Sequence, residues 1–266
     1  MIEKRQISDF YDFIRDYWAQ LGQYKASDRS FMLNFGYWPP GVNNLGDAQR
    51  CFVDQVLENL RLPEGVAANG LEIGCGVGGV SIHMLRQMPT LHMTGLDIAV
   101  EQIERARENA QTMGVGDRFS ALHGSSMAIP VADGAYDLTA CIESSFHYEE
   151  KEAFFAENFR VLKPGGRSIV ADITCANHHG LRFKKDHYFE SVDKYMSIAN
   201  AVGFSVERVQ DIGARVYAPL YDHIVEFNKL NRSKAGRYWA QMLHNYQKMS
   251  ADGQLSYHIF SLHKPA

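Results

Sequence analysis

Apolar residues recur along the middle of the chain in two alternating rhythms. Short apolar runs at Leu71–Cys75, His92–Asp97, Arg118–His123, Tyr136–Ile142 and Arg167–Ile173 read as strands. Between them, Val80–Gln87, Val100–Met113 and Glu149–Leu162 carry apolar residues every three or four positions and read as helices. Strands alternating with helices of this length predict a parallel sheet covered on both faces. Upstream, Ala48, Phe52, Val53, Val56, Leu57 and Leu60 make one helical stripe within Asp47–Leu60. Residues 1–35 read as helical and aromatic. Downstream come a helix at Ser191–Ala201, a strand at Phe204–Asp211, a helical stretch at Pro219–Met249 and a closing alternating strand at Leu255–Leu262. The helical stretch is long for a connection between two strands, and long insertions usually cover a site.

Composition narrows the picture. The chain has 266 residues, of which 45% are hydrophobic, enough for a sizeable core. A net charge of −4 supplies no basic field for nucleic acid. The four cysteines form no CxxC pair, and the polar start MIEKRQISDF has no secretory apolar stretch, so a reducing, cytoplasmic setting is expected. The longest stretch without Asp, Glu, Lys or Arg, Ser30–Gly46, contains Pro39 and Pro40, so no membrane span is expected. His178, His179 and His187 lack a recognised ligand spacing, and no metal is expected. Aromatic residues make up 12% of the chain. Many of them, Tyr11, Phe13, Trp18, Phe35 and Trp38 early and Tyr221, Phe227, Trp239 and Tyr246 late, fall outside the alternating region, which favours a shaped pocket over a merely filled core.

The first strand ends in Gly74-Cys75-Gly76-Val77-Gly78-Gly79, which satisfies GxGxxG and opens a helix. Asp97 ends the second strand, 18 residues past Gly79. Glycines let a backbone approach a ligand closely, a helix N-terminus favours an anionic group, and an acid so placed binds a ribose diol. A nucleoside-containing ligand follows, and an NAD-dependent oxidoreductase is one reading of it.

Further segments carry a resemblance. Leu71-Glu72-Ile73-Gly74-Cys75-Gly76-Val77-Gly78-Gly79 resembles motif I of the class I S-adenosylmethionine-dependent methyltransferases. Gly95-Leu96-Asp97-Ile98 resembles their second motif, Tyr136-Asp137-Leu138 the start of their fourth strand, and Arg160–Arg167 the turn into their fifth. Hydride-transferring Rossmann enzymes lack that turn. The resemblance spans residues 70–175. It implies a single α/β domain over 1–266, Rossmann-like, with a seven-stranded mostly parallel sheet whose last strand is antiparallel. Residues 1–45 and 214–253 would be helical cap elements over the acceptor pocket.

The same resemblance implies S-adenosyl-L-methionine as cofactor. Glu72, Gly74, Gly76 and Gly78 would wrap its methionine and ribose parts, Asp97 would take the ribose hydroxyls and Ile98 would pack on adenine. Ser125 stands where relatives carry an Asp for the adenine amino group, with the Ser126 backbone as substitute. Cys141 would lie near the sulfonium.

The segment Ile142-Glu143-Ser144-Ser145-Phe146-His147-Tyr148 resembles the small-molecule branch, which acts on sugars, sterols, prenyl diphosphates and other natural products. The branch implies acid–base roles for His147 and Asp172, or a proton-taking or cation-stabilising role for Glu143. Each also has a structural alternative: a helix-start bond for His147, a strand-end polar group for Asp172, an anchor for Glu143. Phe35-Gly36-Tyr37-Trp38 matches the branch too, with Tyr37 and Trp38 either as a lid on the cofactor or as pins for the N-terminal arm. Arg182-Phe183-Lys184-Lys185 would bind a phosphorylated acceptor or form a solvated loop. The implied partner is a small acceptor with apolar or planar surface, methylated at oxygen or carbon. C-methylation of a prenyl or aromatic acceptor through Glu143 is the alternative.

Overall fold

The computed structural model describes residues 16–26, 28–62, 65–176, 181–184 and 187–266. Of the predicted cap, Tyr11 and Phe13 lie outside the described residues, as do His178, His179 and the side chains of Arg182–Lys185.

Seven strands form one sheet: β1 (Ala68–Ile73), β2 (Leu91–Asp97), β3 (Phe119–His123), β4 (Tyr136–Ile142), β5 (Leu162–Cys175), a late β8 (Ser205–Asp211) and β9 (Leu255–His263). Between β5 and β8 lies a short antiparallel hairpin, β6 (Leu181–Lys184) and β7 (His187–Phe189). The main sheet runs in the order β3-β2-β1-β4-β5-β9-β8. Its first five strands are parallel, and β9 enters antiparallel between β5 and β8. The expected architecture is therefore present. Strand β4 has no exposed residue, as a central strand covered on both faces requires.

Helices cover both faces. Helical residues 16–23 (α1), α2 (Leu45–Leu60), α3 (Gly79–Gln87) and α4 (Val100–Thr112) share a core with Ile142, Ile169, Ala171 and Ile173. Helices α5 (Lys151–Val161) and α6 (Val192–Val202) share the opposite core with Ile73, Cys141, Val170 and Phe260. Side chains alternate faces along a strand, so neighbouring residues of β4 and β5 enter different cores.

The predicted single helix at Pro219–Met249 is two: α7 (Tyr217–Leu230) and α8 (Lys234–Ala251). Ser233 explains the break. Its hydroxyl accepts the Gly236 N–H at 2.9 Å, capping a new helix start. Both helices join α1. Tyr17 packs on Phe227 with ring centroids 5.6 Å apart and donates its hydroxyl to Asn228 Oδ1, and Trp18 meets Trp239 at 5.0 Å. Truncating a ring as buried as Trp18 costs about 3–5 kcal/mol.

Candidate active site

The carboxyl ends of β1, β2, β4 and β5 open into a cleft with about 1060 Å³ of non-atom space, its solvent-open part included. The glycine loop forms its floor. Gly74 and Cys75 both donate backbone N–H groups to Leu96 O, at 2.8 and 2.9 Å, stitching the loop to β2. Gly74 has φ +77°, and a Cβ there would sit 1.9 Å from Ser144 Oγ, so only glycine fits. Gly79 opens α3 where the arm crosses: its Cβ would lie 2.6 Å from Met32 N.

Two carboxyls hold this floor. Asp97 accepts the Gly76 N–H on one oxygen and the Ala99 N–H on the other, each at 2.9 Å. Each oxygen keeps a second lone pair, which suits a ribose diol. Burial raises the Asp97 pKa. Glu72 is buried and accepts the backbone N–H and hydroxyl of Ser81 in α3; burial pushes its carboxyl up to about 7.

The arm at residues 30–35 makes one wall. Buried Gln49 of α2 clamps it, donating to Met32 O and Asn34 O at 2.9 Å and accepting the Ser30 hydroxyl at 2.7 Å. Glu143, just past β4, takes the Phe35 N–H at 2.7 Å and the Tyr257 hydroxyl at 3.1 Å on one carboxyl oxygen. Its backbone is left-handed at φ +46°, a strained conformation for a residue with a side chain. Burial raises its carboxyl to about 8. The far wall is Trp239, Met242 and Tyr246 of α8, with Phe146, His147 and His187 beside them. Among the described residues that line the cleft there are three carboxyls and no Lys or Arg. Carboxyls and aromatic faces suit a sulfonium cation.

The glycine loop, the acid on β2 and the strand order meet a matching family model, described as a methyltransferase domain, over residues 71–166. Residues 71–166 thus form a methyltransferase domain. The chain is 31% identical over 150 residues to erythromycin 3''-O-methyltransferase of Saccharopolyspora erythraea, covering 56% of this chain and 48% of that enzyme. The chain thus spans about half the length of that relative. It is 28% identical over 190 residues to 27-O-demethylrifamycin SV methyltransferase of Amycolatopsis mediterranei, covering 68% of this chain and 69% of that one. The methyltransferase fold also matches the crystal structure of the [4+2]-cyclase SpnF with a TM-score of 0.81 and 22% identity, over 98% of this chain and 96% of that one.

Of the methyltransferase residues read from the sequence, Glu72, Gly74, Gly76, Asp97, Glu143 and His147 meet at the cleft. Others do not line it. Asp172 and Cys141 belong to the opposite face of the sheet, because their neighbours Ile173 and Ile142 are the ones that face the cleft. Asp172 is fully buried, accepts the Ser145 hydroxyl and the Tyr195 hydroxyl, and is raised by burial to about 6. Tyr37 and Trp38 are pins. Tyr37 donates its N–H to Ala48 O at 2.9 Å. Trp38 donates its indole N–H to Phe35 O at 3.0 Å and its backbone N–H to Arg215 O at 2.8 Å.

Gly78 caps α3 in a left-handed turn behind the floor. Ile98 is 56% exposed at the end of β2, and Ser125 closes a local turn by accepting the Met127 N–H at 3.2 Å. Ser126 bonds Tyr148, whose hydroxyl pairs with Ser144 Oγ at 2.6 Å. Sequence reasoning missed the Gln49 clamp and the place of His187. A polar residue inside the apolar stripe of α2 was the available signal for Gln49; no local pattern marks His187.

No helix among the described residues is long and apolar enough to cross a membrane, and no group of three or more His, Cys, Asp or Glu among them is placed to hold a metal ion.

Proposed function

We propose that this enzyme transfers the methyl group of S-adenosylmethionine to a hydroxyl of a small, largely apolar metabolite, with His147 as the proton acceptor. The observation that carries this reading is one continuous cleft that joins the Asp97 and glycine-loop floor to an aromatic chamber holding His147. The cofactor supplies a methyl already activated for displacement, so the protein must align the acceptor, exclude water and take a proton. Glu72, Gly74, Gly76 and Asp97 hold the nucleoside and amino-acid parts. Trp239, Met242 and Tyr246 present an apolar face to the acceptor, and a neutral imidazole at His147 takes its proton.

Glu143 supports a second reading, carbon methylation of an isoprenoid or aromatic acceptor. Its carboxyl, raised to about 8, stays protonated at neutral pH until a developing cation or a released proton makes ionisation favourable. A diphosphate acceptor would need cationic partners, and the described lining offers none.

The test incubates the protein with methyl-labelled cofactor and a panel of polyketide aglycones, sugars, phenols, prenyl diphosphates and amines, read by mass. An O-methylated product, lost in His147→Ala, supports the first reading. A C-methylated product lost in Glu143→Gln supports the second. Cofactor binding with no labelled product from any class overturns both and points to a non-transferring chemistry of this fold.

A further inference from the structure

Two imidazoles face each other on the wall of the cleft. His147 ends the single helical turn Ser145–His147 after β4, and His187 opens β7, 40 residues later. Their ring centroids are 5.3 Å apart with planes at 77°, so the edge of one ring meets the face of the other. Phe146 packs on both, at 4.0 Å from His147 and 5.0 Å from His187. Phe189 lies 5.8 Å from His187 in the same cluster, and His187 itself is buried.

A buried cation fixes this arrangement. Lys151, in the first turn of α5, donates to the carbonyl oxygens of Ser145 at 2.8 Å, Tyr148 at 2.7 Å and Tyr188 at 2.9 Å. The first two bracket His147, and the third adjoins His187. One ammonium therefore ties together the two segments that carry the imidazoles. Asp172, bonded to the Ser145 hydroxyl, supplies a buried opposite charge near it.

We propose that His187 is a second acid–base residue of this site, and that His147 and His187 hold one proton between them at the acceptor end of the cleft. The proposal rests on the methyl-transfer reading above. As an acceptor hydroxyl takes the methyl carbon, a C–O bond forms. The C–S bond breaks with its electron pair left on sulfur, and the hydroxyl proton passes to the imidazole pair and then to solvent. A pair is suited to this because a proton on one ring raises the cost of a second on the other. The pair therefore takes a single charge during turnover. Other groups bear on it from each packed element. Glu143 from the end of β4 and Tyr246 from α8 line the same cleft, Lys151 and Asp172 lie behind the turn, and Glu72 and Asp97 line the cleft at its glycine-loop floor. Lys151 opposes protonation of the pair, and the carboxylates favour it.

The test is a pH titration of the imidazoles by NMR on the ¹⁵N-labelled full chain, alone and saturated with S-adenosylhomocysteine. In the wild type the pair takes up two protons in steps about 1 to 2 pH units apart. In His187→Gln, and equally in His147→Gln, the remaining ring titrates in one step. In Lys151→Met the two wild-type steps draw together as the segments separate. Rings that titrate at the same pH, within about 0.3, with or without the other overturn the proposal, whatever the stability of the variants. Calorimetry on the same samples keeps the two readings apart. Coupled rings in a chain that binds no S-adenosylhomocysteine retain the pair and overturn the methyl-transfer reading instead.

Discussion

Replacing Glu143 with Gln removes a titratable group but keeps an amide oxygen that can accept the Phe35 N–H and the Tyr257 hydroxyl. The wild-type carboxyl is raised from an ordinary 4.5 to about 8, chiefly by burial. A raised carboxyl favours the folded state only while it is protonated in both states. Stability relative to the Gln variant is therefore full below pH 4.5 and falls as pH rises toward 8. Each pH unit in that window is worth about 1.4 kcal/mol, so at pH 7 the penalty reaches up to about 3 kcal/mol. Glu143→Gln should accordingly match the wild type near pH 4.5, exceed it by up to about 3 kcal/mol at pH 7, and gain little more above pH 8.5. Guanidinium denaturation of both proteins across this range measures it. A difference that does not change with pH, or a variant less stable than the wild type at pH 8, refutes the burial argument. A gain in stability accompanied by loss of a C-methylated product would mark the buried acid as kept for chemistry at the expense of folding.

Three further outcomes follow from the site. Gly79→Ala places a Cβ where the arm backbone passes at 2.6 Å, so calorimetry should show about tenfold weaker binding of S-adenosylhomocysteine with an unchanged circular dichroism spectrum. Asp97→Asn removes the charge that accepts the loop amide and that the proposed site offers to the ribose diol, and should weaken the same binding about 10- to 100-fold; an unchanged affinity would remove Asp97 from the site. Lys151→Met removes the ammonium's hydrogen bonds to three carbonyls and leaves Asp172 without its cation, and should lower unfolding free energy by about 3–5 kcal/mol in denaturant titration.

What the sequence discloses and what it hides divide along physical lines. The glycine loop and Asp97 are legible because a tight turn, a helix start and a strand end depend on residues within about 25 positions of one another. The parallel direction of the first five strands is legible because parallel strands need crossovers, and each crossover leaves a helical period in the chain. Strand parity is harder. Asp172 and Cys141 sit one residue from positions that face the cleft, and a shift of one moves a side chain to the other face. The break at Ser233 is a helix cap inside a continuous apolar pattern, and the period hides it. Gln49 is the hardest case. Its polar side chain inside the apolar stripe of α2 is a signal, but nothing near it in sequence says that it clamps the backbone of residues 30–35.

The cleft is assembled from two unequal sources. Its floor comes from one contiguous stretch, Glu72 to Gln102, whose geometry is fixed by strands β1 and β2. Its walls come from scattered pieces, among them the arm, the turn after β4, the strand at His187 and the inner face of α8. Inheritance can therefore treat them separately. Exchanging Lys234–Ala251 for the corresponding helix of a relative would change three wall residues at once while leaving every floor contact in place. Chimeras of the cap therefore test the walls apart from the floor.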